Sequence, residues 1–418
     1  MEQIVINGGK SLVGTVEVSG SKNAALPILF ATILTSDVCI IDNVPQISDV
    51  SLTLDILREM GATVKEIDKN TFEIDTREAQ SGRSSYELVR QMRASTYIMG
   101  VELGRFGNAK VGWPGGCNFG IRPIDQHIKA FEALGASFVN ENGFITITSD
   151  KLTGSSIYFD TVSVGATVNA ILASVFADGI TVIENAAKEP HIVDLANFLN
   201  TCGASVRGAG TDVIKVKGCK KLHGCTYTII PDMIEAGTYM IAAAATKGKL
   251  KIENVIPKHL ESITAKLCEM QVDVEEDDDF VTVAYAGKLV NVNVKTQPYP
   301  GFPTDMHPQM SVLMCLSQGT GRITEGVFEN RFRYVEELSR MGASIEVAGE
   351  TAIIEGGKPL YSAPVRAVDL RAGAAMIIAG LSANGKTVIT DIESIERGYD
   401  NIVAKLKALG ADIEKTEA

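Results

Sequence analysis

Several residues of this chain stand where they could do chemistry on an anion. Lys22, Arg93 and Arg371 open apolar helical segments, and Gly165, Glu235 and Asp305 hold the equivalent places in three other segments. A cation at a helix N-terminus opposes the macrodipole and the unpaired amides there, so each is a locally unfavourable choice. A bound anion removes the conflict, because amides and side chains then face the same negative charge. Arg122, Lys258 and Arg397 stand two residues before the first apolar position of a second type of helical segment, where Ser48, Pro190 and Glu329 occupy the equivalent sites. At that apolar position Arg331 takes the place filled elsewhere by Val50, Ile124, Ile192, Leu260 or Tyr399. A charge in a core position breaks a local rule, as functional sites do. One arginine at an exposed helix end is ordinary, and Lys258 fits that description, but recurrence at equivalent positions points to a site.

The stretch "WPGGCNFGIRP", residues 113–123, adds a thiol. Gly115 and Gly116 expose Cys117, and Arg122 nearby lowers its pKa, the two conditions for a reactive cysteine. The connection that carries it is the longest of its kind and could close over a ligand. The other six cysteines read as packing residues. Seven cysteines without a CxxC pair argue against a disulfide framework or a zinc site, and Cys219, His223 and Cys225 read as a surface turn.

The elements that must position these residues repeat. "EMGATV", "ALGASF", "TCGASV", "EMQVDV", "RMGASI" and "ALGADI" mark six copies at residues 61, 135, 203, 271, 342 and 410, spaced 74, 68, 68, 71 and 68 residues apart. Before each marker the apolar positions follow a helical period, as in Val50, Leu54, Leu57 and Met60. Earlier in each copy lies a more apolar helix closed by glycine or serine, and short β-type runs such as "TVIEN" and "FITITS" join and follow the helices. Each copy is a small α/β module too short to bury a core alone, so copies must pack together, three and three. If pseudo-symmetry points one end of every copy the same way, the basic side chains ring a cleft between the two halves.

A net charge of −12 without a basic stripe argues against nucleic acid as partner. The N-terminus lacks the features of a secretion signal and no uninterrupted apolar run reaches about 20 residues, so a cytoplasmic chain without membrane insertion is expected.

"SGSKNAALP", "RASTYIMG", "PGGCNFGIRPIDQH", "SVGATVNA", "PTDMHPQ" and "DLRAGAAM", spread over the whole chain, resemble the UDP-N-acetylglucosamine 1-carboxyvinyltransferase family of enolpyruvyl transferases. The resemblance implies an inside-out α/β barrel of two domains with three repeated units each: residues 22–229 with the Cys117 loop, and residues 1–21 with 230–418. It implies transfer of the enolpyruvyl group of phosphoenolpyruvate to the 3′-hydroxyl of UDP-N-acetylglucosamine, the first committed step of peptidoglycan synthesis, with no metal or redox cofactor. By resemblance Lys22, Arg122 and Arg397 contact the phosphate of phosphoenolpyruvate, and Arg331 and Arg371 lie near its carboxylate. Arg93, Arg122, Pro123, Ile124, Asp125, Gln126, Ser163, Val164, Gly165, Asp305, Val327 and Asp369 match positions that hold substrate, chiefly the UDP-sugar, and Asn23 lies between both ligands. Asp305 is the expected acceptor of the alcohol's proton and Cys117 the donor to the methylene carbon, with Lys22 and Arg397 among the catalytic cations. Thr161 stands where some members have lysine, which puts one nucleotide contact in doubt. Two rivals remain: 3-phosphoshikimate 1-carboxyvinyltransferase, which shares the sixfold architecture but lacks the cysteine loop, and a catalytically silent paralogue that binds the nucleotide sugar.

Overall fold

The computed structural model describes residues 2–113 and 124–417. The chain divides into two compact units, Gly20–Ile230 and Met1–Ser19 with Pro231–Ala418. Each has its own apolar core, one drawn from residues 24–229 and the other from residues 4–18 and 234–413.

All six repeat markers adopt left-handed backbone, with φ of 97° at Gly61, 92° at Gly135, 98° at Gly203, 67° at Gln271, 88° at Gly342 and 95° at Gly410. The amide of each marker bonds the carbonyl three residues back, as in Gly61 to Arg58 at 2.9 Å and Gly410 to Lys407 at 3.1 Å. In five copies the next amide reaches five back, as in Ala62 to Leu57 at 2.9 Å. This double closure ends a helix where glycine costs least, which is why the repeat is visible in the sequence. Gln271 adopts the same conformation without that advantage.

The more apolar helices are Lys22–Ala31, Tyr97–Phe106, Val164–Ser174, Met233–Ala245, His307–Leu316 and Leu370–Ser382. They are buried on nearly every face, so they form the interior. Small residues permit close packing: a Cβ on Gly100 would come within 2.4 Å of Asn169 Oδ1, and one on Gly104 within 2.7 Å of the Leu172 carbonyl. The expected glycine caps hold only in part. Gly107 caps its helix directly, whereas Gly179, Gly319 and Gly385 lie a few residues beyond theirs and lead into strands. In the fourth copy the left-handed residue is Lys247, not Gly248.

The second helices, Ser48–Glu59, Asp125–Ala133, Pro190–Thr201 and Pro257–Glu269, are amphipathic as their spacing predicts. The last two copies differ. There the segment breaks into the 3₁₀ turn Arg331–Tyr334 followed by Val335–Arg340, and the 3₁₀ turn Ile392–Arg397 followed by Ile402–Ala408. Arg397 therefore closes a turn instead of opening a helix.

Five sheets have four strands each, and a sixth has three among the described residues. In each four-stranded sheet one edge strand pairs in parallel; in two sheets it comes from a distant copy, and in the other three it lies just before the apolar helix of the same copy. Thr226–Thr228 joins Val38–Asp42, Ser156–Tyr158 joins Ile180–Glu184, and Val13–Glu17 joins Lys249–Glu253. The N-terminal strand Glu2–Gly8 lies between Gly385–Thr390 and Asp412–Glu417, antiparallel to both. The first, fourth and sixth copies each complete their sheet with a strand distant in sequence, a structural reason for the repeats of each unit to associate.

Candidate active site

In the Gly20–Ile230 unit Lys22 is the first residue of its helix, and its Nζ lies 2.7 Å from Asp49 Oδ2, both side chains nearly buried. The conflict between cation and helix dipole is thus met from within the chain by an acid in the first turn of the second helix. Asp49 is a residue that sequence reasoning missed. Asn23 follows, half-buried.

Arg93 begins a 3₁₀ turn ahead of Tyr97–Phe106 and influences His127, which is buried. Burial first, then the Arg93 charge, push the His127 pKa down to about 3, against the opposing pull of Asp125. The imidazole is therefore neutral. Asn169 Nδ2 donates to its Nδ1 at 2.8 Å, which places the remaining proton on Nε2. Asn169 also donates to the Thr96 carbonyl at 3.0 Å and accepts from the Gly100 amide at 2.9 Å, so one side chain locks the two apolar helices and the histidine together. A Cβ on Gly165 would come within 3.1 Å of His127 Nε2, so the absence of a side chain at 165 is a matter of space.

Ile124 is buried ahead of the helix Asp125–Ala133, and Asp125 is exposed on its first turn. Gln126 accepts from the Asp160 amide at 3.0 Å and donates to Asp125 Oδ2 at 2.8 Å, which ties the segment leading to Ser163 onto this helix. Ser163 caps Val164–Ser174, its Oγ accepting from the Ala166 amide at 3.3 Å. Val164 and Gly165 are the first two residues of that helix, and Thr161 is exposed just before it.

In the other unit Asp305 is gripped by two arginines. Arg331 Nη2 donates to its Oδ1 at 3.0 Å, and Arg371 donates to its Oδ2 from Nε at 3.1 Å, with Nη2 of the same residue 3.0 Å from that oxygen. Burial alone would raise the Asp305 carboxyl, but the charges of Arg371 and Arg331 outweigh it and hold the pKa well below the usual carboxylate range. Arg331 is 2% exposed, as buried as the apolar residues that take its place in other copies, and its guanidinium lies 5.6 Å from the Phe328 ring centre. Arg371 lies 5.3 Å from the ring centre of Tyr399, whose hydroxyl meets Thr238 and Gln309 at 3.0 and 3.1 Å. Arg371 Nη1 is buried with no hydrogen-bond partner among the described residues, an unsatisfied cationic donor beside a carboxylate.

Beneath this triad lies a network absent from the sequence reading. Glu325 accepts from Thr304 Oγ1 at 2.8 Å, from the amides of Val327 and Phe328 at 2.9 and 3.1 Å, and from His307 Nδ1 at 3.1 Å. Burial pushes Glu325 up, yet hydrogen bonds led by that of His307 hold it at about 2. The network fixes the turn carrying Asp305 and the exposed Val327 from one point.

Two readings of the helix starts need correction. Asp369 Oδ1 accepts from the amides of Arg371 and Ala372 at 2.8 and 2.9 Å, so those amides are capped by the chain itself and are not offered to an anion. Glu235, the acid in the fourth copy, is structural: it binds Lys405 Nζ at 2.7 Å and the Ser19 amide at 2.9 Å. Lys258 is exposed and pairs with Glu261 on its own helix, an ordinary solvated charge. Arg397 is half-buried at the end of its turn. Cys117, Arg122 and Pro123 lie outside the described residues.

Comparison with known proteins bears on what these residues serve. Residues 6–406 match the EPSP synthase (3-phosphoshikimate 1-carboxyvinyltransferase) family. Over 413 residues, 99% of each chain, the sequence is 55% identical to UDP-N-acetylglucosamine 1-carboxyvinyltransferase 3 of Caldanaerobacter subterraneus subsp. tengcongensis. This chain belongs to the UDP-N-acetylglucosamine 1-carboxyvinyltransferase family. A second member, UDP-N-acetylglucosamine 1-carboxyvinyltransferase 2 of Clostridium acetobutylicum, is also 55% identical over 99% of both chains. Among solved structures, the enolpyruvyl transferase NikO from Streptomyces tendae matches all of this chain and 99% of its own at a TM-score of 0.90 and 26% identity. EPSP synthase from Acinetobacter baumannii matches over the full length of both chains at a TM-score of 0.78 and 18% identity, a likeness of fold alone. The repeated α/β architecture is thus the inside-out α/β barrel of the enolpyruvyl transferases. Among the described residues no helix is long and apolar enough to cross a membrane.

Proposed function

We infer that this chain transfers the enolpyruvyl group of phosphoenolpyruvate to the 3′-hydroxyl of UDP-N-acetylglucosamine and releases phosphate. The observation that carries this is the likeness at 55% identity over 99% of the chain to enzymes named for that transfer. The reaction is the first committed step of peptidoglycan synthesis, and it takes place in the cytoplasm.

The chemistry requires addition of an alcohol across an enol double bond. The hydroxyl loses its proton as its oxygen bonds to C2 of phosphoenolpyruvate, the methylene carbon gains a proton, and a tetrahedral ketal forms. Loss of phosphate and of a methyl proton then restores the double bond on the product. Asp305 takes the alcohol's proton and Cys117 supplies the proton to carbon. Lys22, Arg122 and Arg397 hold the phosphate, Arg331 and Arg371 serve the carboxylate, and Arg93, Pro123, Ile124, Asp125, Gln126, Ser163, Val164, Gly165, Val327 and Asp369 serve the UDP-sugar, with Asn23 touching both substrates.

Clamped by two guanidiniums, Asp305 is a weak base. An arriving carboxylate competes for the same donors, and Arg371 Nη1 is already turned to no protein acceptor among the described residues. Drawing either arginine away raises the basicity of Asp305 when substrate is present, so the base acts only then. The buried cations stabilise the charged intermediate and the departing phosphate.

Phosphate release from purified protein tests the assignment. Release with phosphoenolpyruvate and UDP-N-acetylglucosamine, but not with phosphoenolpyruvate and shikimate 3-phosphate, is expected. The opposite pattern would assign the chain to the shikimate enzymes, and release with neither acceptor to a silent paralogue.

A further inference from the structure

The unit Gly20–Ile230 contains a cluster of thiols that the transfer reaction does not use. Cys39 lies in the strand Val38–Asp42, Cys202 caps the end of the helix Pro190–Thr201, and Cys225 precedes the strand Thr226–Thr228. Cys202 Sγ and Cys225 Sγ are 3.4 Å apart, and Cys39, whose Sγ meets Thr35 Oγ1 at 3.6 Å, lies close enough to act on both electrostatically. Backbone bonds fix the pair on each side: the Ile40 amide donates to the Cys225 carbonyl at 2.9 Å, and the His223 amide to the Cys202 carbonyl at 3.0 Å. Cys39 and Cys202 are buried, while Cys225 is only half-buried and gives access. Cys225 thus meets two cysteines distant in sequence and not Cys219, its neighbour in "CKKLHGC". Among the described residues no group of three ligands could hold a metal ion.

We propose that Cys202 and Cys225 are a redox-sensitive pair that closes to a disulfide by exchange with a small-molecule disulfide, covalently joining the third repeat to the sheet of the first. A thiolate formed in the cluster accepts hydrogen bonds from the two remaining thiols; those of Cys202 and Cys225 hold Cys39 well below the usual thiol range, against burial. The three titrate as a unit, and the cluster gives up its first proton more easily than an isolated thiol. At Cys225, the half-buried member that the oxidant reaches, the hydrogen bond of Cys202 is outweighed by that of Cys39 and by burial, which raise the thiol to about 11, so the attacking thiolate is its minor form at neutral pH and gains population as pH rises. The Cys225 thiolate attacks the small disulfide RSSR, breaking its S–S bond and releasing RS⁻ to leave a mixed disulfide. Cys202 then loses its proton and attacks the Cys225 sulfur, expelling the second RS⁻. The net change is two protein thiols and RSSR to one protein disulfide and two RSH. Closure brings the sulfurs from 3.4 Å to about 2.05 Å, a movement within reach of side-chain rotation.

The test treats the full chain with oxidised glutathione at pH 8, blocks residual thiols with iodoacetamide, digests with trypsin without reductant and analyses the peptides by mass spectrometry. The expected product joins the peptide of residues 189–207 to that of residues 222–247, and dithiothreitol separates them. The oxidised chain should also unfold at higher urea than the reduced chain, a shift absent in Cys225→Ser. If that variant does not fold, Cys225→Ala replaces it. Recovery of both peptides alkylated or singly glutathionylated overturns the proposal, as does a crosslink from Cys225 to Cys219 instead.

Discussion

Replacing Lys22 by alanine sets two physical effects against each other. Its place at a helix start makes the cation unfavourable, and removing it should return about 0.3–1 kcal/mol. The same substitution takes from Asp49, whose side chain is only 5% exposed, the ammonium 2.7 Å from its carboxylate. Breaking a buried pair from one side costs about 3–5 kcal/mol. The second effect is larger, so Lys22→Ala should lose roughly 2–5 kcal/mol of stability as well as affinity for phosphoenolpyruvate. Helix position alone, read from the sequence, leads to the different expectation of weakened binding with stability intact. A double-mutant cycle in urea with Lys22→Ala, Asp49→Asn and the combined variant separates the terms. The double variant should regain more than half of the loss. An unchanged or raised midpoint for Lys22→Ala would refute the reasoning, as would additive single effects, since the pair would then carry no coupling.

Asp305→Asn should lower kcat by roughly 10²–10⁴-fold in the phosphate-release assay if the carboxylate is the base, and a change below tenfold would remove it from that role. Glu102 is buried and accepts from the Gly82 and Lys110 amides at 2.8 and 3.2 Å, and burial, opposed by these bonds, pushes its pKa up to about 7. The folded state therefore holds this proton more tightly than the unfolded chain, and the resulting stability is complete below the ordinary carboxylate range and lost as pH rises through 7. The urea midpoint of Glu102→Gln relative to the parent should accordingly shift in favour of the variant between pH 4.5 and 7.5, and a difference constant with pH would contradict the raised pKa.

What could be read from residue order was whatever depends on local backbone or on period. The six markers were legible because a left-handed helix end selects glycine, and Gln271 was found only because its neighbours keep the pattern. Arg331 stood out because a charge fell where five other copies keep core residues, and it is as buried as they are. The partners were not legible. Asp49 reads as an ordinary acid in a first helical turn, and only packing brings it to Lys22. Asn169 and His127 meet across 42 positions, Asp305 and Arg371 across 66, and no local spacing encodes such a pair. The breakdown of the last two amphipathic segments into 3₁₀ turns also escaped notice, because their apolar positions satisfy a helical period whether or not the helix is continuous.

The strand Glu2–Gly8 has its neighbours at Gly385–Thr390 and Asp412–Glu417, almost the whole length of the chain away. During translation this strand leaves the ribosome long before residues 385–417 are made, so neither edge of it is hydrogen-bonded until they follow. Residues 20–230, by contrast, hold all the strands of their own sheets and are available for folding at mid-synthesis. A nascent chain stalled short of residue 412 would display an unpaired edge on its opening strand, and that edge is where a chaperone or a second nascent chain would engage.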